Sequence, residues 1–329
     1  MLNTKIDSLG AYIPKNRVSS SELEDIHNLP SGWIEQHTGV KERPYFSSEN
    51  MIQAGAWAAQ DALKNANLRL EDVDCLISAS ASKFQPIPCT ASFYKRELGA
   101  THKMGCFDVD STCLSFVTAL DSAICMVSSG RYKNVLIITS EHSSLALNWE
   151  QKESASLFGD VAVAAIVNKT QNAETSKMLS YGLDTFPEGL EFARVRGGTV
   201  GFPADKYHKD NRSAFLFDMN GRSIYKVAAK TLFKMVEDAL SSANISMKDI
   251  NMVIPHQASM LAMQLIQAKL KIPQEKMMYI IQNYGNDVAA SIPLALKIAV
   301  DEGRVKRGDK IMLVGTSAGL SVGVMILEY

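Results

Sequence analysis

The chain has 329 residues, 46% hydrophobic and 21% charged, with a formal net charge of -1. That is enough material for one large core or two packed domains, and the near-neutral balance gives no footprint for nucleic acid. The five cysteines lack CxxC spacing and the six histidines form no HxxxH pair. Neither a disulfide framework nor a zinc site is expected, and a reduced cytoplasmic protein without a metal or resident cofactor is the natural reading. Asp7, Lys15 and Arg17 interrupt any early apolar run. Neither a signal peptide nor a membrane span is expected.

In chain order, WIEQHTGVKER comes first, carrying Trp33 and His37. Residues 61–77, DALKNANLRLEDVDCLI, read as a helix end, a short acidic turn and a buried strand. FQPIPCTAS follows, with Ile87 between two prolines. The stretch FDVDSTCLSFVTALDSAICMVSSG opens extended from Cys106 to Val109. Leu114, Val117, Leu120, Ile124 and Val127 then recur close to helical spacing. Cys113 therefore opens an amphipathic helix. A thiol there feels the positive end of the macrodipole and nearby unpaired N–H groups, which favour the nucleophilic thiolate. A lone cysteine is otherwise an ordinary buried side chain. GRYKNVLIITS is a basic turn feeding an apolar strand, and TSEHSS places Glu141 and His142 in the turn after it.

The second half repeats the first. Residues 238–254, DALSSANISMKDINMVI, align with 61–77 without gaps, and GRVKRGDKIMLVGTS from Gly303 echoes GRYKNVLIITS from Gly130. Each half reads helix, strand, linking segment, helix, strand, which implies parallel sheets covered by helices. The expected architecture is α/β with two pseudo-symmetric halves, residues 1–170 and 171–329. Counting back seventeen residues from Gly130 reaches Cys113, and from Gly303 reaches Asn286. Both are thus expected to open equivalent helices facing one junction.

Three further segments bear on chemistry. His256, in NMVIPHQAS, leaves a buried strand at Pro255, where sites of α/β proteins tend to lie. Asn286, in NYGNDVAASIPLAL, precedes an apolar helix, a place where asparagine is also a common cap. Asp287 beside it is expected to point to solvent. VGTSAGLSVG follows a strand with small residues that let backbone N–H groups approach a ligand. The Gly-rich basic stretch from Phe186 to Arg212 reads as a solvated surface loop.

Cys113 in its D-x-x-x-x-C context, His256 in PHQA and Asn286 in YGN-x-x-AAS together resemble the β-ketoacyl-acyl carrier protein synthase III branch of the thiolase superfamily. WIEQHTGVKER, LFGDVAVAAIV and KVAAKTLFKMVEDAL fall in that family's order, so the resemblance spans the chain. It implies a five-layered α-β-α-β-α sandwich, a homodimer, and coenzyme A or carrier-protein thioesters as substrates. It implies a decarboxylative Claisen condensation, with Cys113 as nucleophile and His256 and Asn286 as partners. The oxyanion hole would use the N–H groups of Cys113 and Gly319. It also implies substrate contacts at Trp33, at Lys152 where the family usually has arginine, and at Ile87 on a segment that crosses the dimer. Ser317 and Ala318 replace two glycines of the family's three-glycine run, and Asp287 and Val288 replace its Thr-Ser. These departures point to a specialised branch. The same fold leaves two alternatives: acyl transfer to an oxygen or nitrogen acceptor, and a non-catalytic subunit of a condensing heterodimer.

Overall fold

A computed structural model describes residues 2–329. The first of two main sheets contains β1 (Thr4–Tyr12), β2 (Cys75–Ser78), β3 (Gly105–Asp108), β4 (Asn134–His142) and β5 (Asp160–Lys169), in the order β1-β5-β4-β2-β3. The second contains β6 (Lys177–Thr185), β7 (Met252–Pro255), β8 (Lys310–Ser317) and β9 (Ser321–Glu328), in the order β6-β9-β8-β7. Both follow one plan, since β6, β9, β8 and β7 occupy the places of β1, β5, β4 and β2. A parallel bridge from Val253 to Met277 stands where β3 pairs in the first half.

The sheets are mixed, not wholly parallel as expected. β4 runs parallel to β2 but antiparallel to β5, and β8 runs parallel to β7 but antiparallel to β9. Parallel neighbours need a long crossover, whereas β9 returns from β8 through a tight turn and must pair antiparallel.

Side-chain alternation along the strands sorts the core into layers. Ile77, Val135 and Ile137 face inward with Ile254, Leu313 and Met325, and between them lie α2 (Ser115–Ser128) and α4 (Ser291–Asp301). Leu76, Leu136 and Ile138 face outward onto a helix over Met51–Asn65, here α1. Val253, Met312 and Val324 face outward onto Leu232, Val236 and Ala239 of α3 (Gly221–Ser242). The result is α-β-α-β-α, with each fully buried aliphatic side chain contributing roughly 1.5–3 kcal/mol. No helix among the described residues is long and apolar enough to cross a membrane.

The repeat is visible in the backbone. Asn67 and Asn244 end their helices at φ 54° each, and Gly130 and Gly303 end theirs at 76° and 69°. The pairing of Cys113 with Asn286 is corrected, however. α2 has 14 residues and α4 has 11, so counting back from the glycines slips by one helical turn. The true match is fixed at the helix starts. Ser115 Oγ accepts the Ser111 N–H at 2.9 Å, and Ser291 Oγ accepts the Asp287 N–H at 3.0 Å. Cys113 therefore matches Ala289, and Asn286 matches Asp110.

Candidate active site

Cys113 lies in a single 3-10 turn, Thr112–Leu114, and α2 begins only at Ser115. Thr112 adopts φ +48°, a conformation that costs a β-branched residue about 1–3 kcal/mol. Its hydroxyl donates to the Ala318 carbonyl at 3.2 Å, which ties the nucleophile turn to the turn after β8. Cys113 is half-buried at the junction of the two halves. Burial pushes the thiol up to about 12, and the charges of Glu141 and Asp110 add to this. The N–H groups of Ala318 and of Cys113 itself pull the other way and lose. The expected thiolate-favouring helix end is thus overturned: desolvation outweighs the dipole of a helix that starts two residues later.

His256 follows β7, and its N–H donates to the Val314 carbonyl at 2.8 Å. The ring is buried, its Nδ1 has no partner, and burial pushes it down to about 4. The imidazole is neutral at physiological pH. Gly315 lets β8 pass beside it, because a Cβ there would sit 2.7 Å from His256 Cβ and 3.4 Å from Leu114 Cδ2. One glycine thus brings the histidine loop against the nucleophile turn.

Gln257 fixes the loop from beneath. Its Nε2 donates to the Pro255 and Met278 carbonyls at 2.9 and 3.1 Å. Its Oε1 accepts from the Ile280 and Ile281 N–H groups at 2.9 and 3.1 Å. The segment so clamped leads directly to Asn286. The Asn286 N–H donates to Leu157 O at 2.8 Å, and its carbonyl accepts from Gly159 N–H at 3.2 Å. Its side-chain Oδ1 accepts from the Val288 N–H at 2.9 Å. Its Nδ2 donates one hydrogen to Ala258 O on the histidine loop at 3.4 Å, and the second amide hydrogen has no protein acceptor. Val288 reaches this position at φ +49°. The turn Val288–Ala290 packs against both β4 and the Cys113 turn, so the three residues share one junction.

Two acids differ from expectation. Asp287 is fully buried with both carboxylate oxygens unpartnered, and burial together with the Asp160 charge holds it well above the usual carboxylate range. The turn packs inward, so the side chain has no route to solvent. Glu141 belongs to β4 rather than to the turn beyond it, and is also fully buried.

A cavity of about 1180 Å³ runs from His256 and Gly315 to Trp33 and Lys152. Trp33 opens a short helix and stacks on His37 at 4.1 Å and 20°. Lys152 opens another short helix, Lys152–Ala155. Gly319 turns at φ +128° beside Ala318. Ile87 lies off this cavity, 83% exposed on a loop with the exposed Phe84. The stretch after Phe186 is mostly exposed but contains a two-residue strand, Ala193–Arg194, paired with Asp218–Met219. Sequence reading missed Gly315 and Gln257. Both lie inside quoted motifs, but nothing in the string distinguishes them from neighbouring small or polar residues.

The layered fold, with a half-buried thiol, a neutral imidazole and a fixed amide at one junction, defines a thiolase-fold acyltransferase of the condensing type. Residues 107–186 match the family model for 3-oxoacyl-[acyl-carrier-protein] synthase III, and residues 240–329 match the model for its C-terminal part. The chain is 35% identical over 328 residues to the β-ketoacyl-[acyl-carrier-protein] synthase III of Aquifex aeolicus, covering 100% of both. It is 34% identical over 333 residues to that of Clostridium perfringens, again covering 100% of both. The crystal structure of the Aquifex aeolicus enzyme superposes with a TM-score of 0.89, covering 99% of this chain and 100% of that one. The chain belongs to the 3-oxoacyl-[acyl-carrier-protein] synthase III family.

Proposed function

We propose that this protein condenses an acyl thioester with a malonyl thioester through an acyl group carried on Cys113. In the first step the Cys113 sulfur bonds to the acyl carbonyl carbon and the donor's C–S bond breaks. The thiol proton leaves on the departing thiol. In the second, the malonyl carboxylate departs as carbon dioxide and the resulting enolate attacks the acyl-enzyme. The β-ketoacyl thioester forms as the Cys113 S–C bond breaks.

The observation that carries this reading is the pairing of two uncharged donors across from the thiol. A neutral His256 and the remaining Nδ2 hydrogen of Asn286 suit an enolate oxygen. Each such donor is worth roughly 10²–10³ in rate. The N–H groups of Cys113 and of the Ala318–Gly319 turn serve the tetrahedral species on the acyl group. Donors enter by the cavity past Trp33 and Lys152, as thioesters of coenzyme A or of a carrier protein. These are substrates, and no resident cofactor is required. The exposed Phe84 and Ile87 suit burial against a second copy in a cytoplasmic homodimer.

Incubation with acyl-coenzyme A and acyl-carrier thioesters, followed by intact-mass measurement, tests the assignment. An adduct absent from Cys113→Ala, with carbon dioxide release once malonyl thioester is added, is expected. No adduct on the wild type, or an equal adduct on the alanine variant, overturns it.

A further inference from the structure

A short helix near the start of the chain, Ser20–Ile26, lines no part of the cavity, yet it holds both sides of the cavity mouth. Its Glu24 is 3% exposed. A carboxylate so buried needs hydrogen-bond partners, and Glu24 has two. Its Oε2 accepts the Gly32 N–H and its Oε1 accepts the Ile34 N–H, both at 2.8 Å. Those two amides flank Trp33. The helix Trp33–Thr38 has no side-chain cap of its own, since its N-cap is Gly32. Glu24 supplies the cap from outside, and its negative charge suits that end of a helix. Ile34 is fully buried beneath, and His37 Nδ1 donates to Trp33 O at 2.7 Å, which locks the stacked Trp33–His37 pair.

The same helix is capped by His27, whose ring stacks on Trp149 at 3.4 Å and 12°. Trp149 lies in a turn closed by the Gln151 N–H donating to Asn148 O at 2.8 Å. That turn leads straight into the helix Lys152–Ala155, which packs against the helix of Trp33. Trp33, His37 and Lys152 line the mouth, whereas Glu24, His27 and Trp149 stand behind it. The two helices at the mouth have six and four residues, too few to hold their own shape in water. Side chains that must meet an incoming ligand in a fixed geometry therefore need a brace from outside.

We propose that Glu24 and His27 are positioning residues for donor capture, holding the Trp33–His37 pair and Lys152 at the spacing that grips the nucleotide end of an acyl-coenzyme A. This rests on the condensation reading above. Coenzyme A offers an aromatic base to the stacked pair and phosphates to the Lys152 ammonium. Neither Glu24 nor His27 touches the reacting atoms. The binding they support is equal in the ground and transition states, so it appears in KM and not in kcat.

A truncated donor separates this role from a structural one. Condensation is measured with acyl-coenzyme A and with the acyl-N-acetylcysteamine thioester, which keeps the reacting carbonyl and lacks the nucleotide. The wild type is expected to show a KM for acyl-coenzyme A at least about tenfold below that for the truncated donor. Glu24→Gln keeps one acceptor and loses the other, and His27→Ala loses the stack. Each is expected to raise the KM for acyl-coenzyme A about fivefold to tenfold, with kcat and the truncated donor's kinetics within about twofold of wild type. His27→Phe keeps a stacking ring and is expected to return the KM to within about twofold of wild type. On a Trp33→Ala background, Glu24→Gln is expected to add no further loss. The two His27 variants carry the test if Glu24→Gln does not fold. Equal losses with both donors, an unchanged KM in His27→Ala, no rescue by His27→Phe, additive losses with Trp33→Ala, or a wild type that treats both donors alike overturns the proposal. A wild-type enzyme that no thioester acylates on Cys113 refutes the condensation reading instead.

Discussion

Thr112 and Val288 carry the same left-handed backbone, φ 48° and 49°, at matching positions in the two halves. Each is β-branched and each serves the site differently. Thr112 precedes the nucleophile and anchors its turn to Ala318, while the Val288 N–H fixes Asn286 Oδ1. The duplication thus preserved a strained turn and assigned it two tasks.

Val288→Gly should relieve that strain and raise stability by up to about 1 kcal/mol. It should also slow condensation, because a freer backbone holds the Asn286 amide less firmly. Thermal unfolding and turnover on the same sample check both effects. A lowered melting temperature would show that the side-chain packing lost at Val288 outweighs the strain relieved.

Gln257→Ala leaves four buried backbone groups without their partner and should cost about 2–4 kcal/mol. Denaturant unfolding measures this. Condensation should fall further than acylation, since the clamped segment orients Asn286 rather than Cys113.

Gly315→Ala places a methyl group against His256. Overpacking of this kind costs about 1–3 kcal/mol. Displacing the imidazole should lower condensation by roughly 10²-fold. A variant with a wild-type condensation rate would show that the loop can yield.

Alkylation of Cys113 by iodoacetamide should keep rising with pH, with no plateau below about pH 9, because the thiol is pushed up to about 12. A plateau near neutrality would mean that a nearby donor stabilises the thiolate after all.

Glu141 and His256 give opposite slopes in stability against pH. Glu141 moves from 4.5 up to about 7, so the native state binds more protons between those values and stability falls as pH rises through that window. His256 moves from 6.5 down to about 4, so the unfolded state binds more protons there and stability falls as pH drops through that window. Glu141→Gln should flatten the first slope and leave the second. Chemical unfolding at a series of pH values reads both.

Much of the fold was legible because it is local and repeated. The ungapped match of 61–77 with 238–254 carries its helix ends, turns and buried strands in the residues themselves, down to Asn67 and Asn244 at the same φ. The repeat failed as a ruler only where α4 is one turn shorter than α2, since a segment count does not register a lost turn. Cys113, His256 and Asn286 stood out because each sits where a helix or strand boundary meets a distinctive motif.

The sequence by itself determined the two-half α/β plan and the residue types available for acyl chemistry. Hydrophobic period and turn chemistry are properties of neighbouring residues, so the string contains them. The tertiary structure alone decided the ionisation of those residues. Whether Cys113 is a thiol, His256 neutral, or Asp287 an unpartnered acid depends on desolvation and on charges brought from distant segments. Those neighbours come together only when the strand ends of both halves close on one junction.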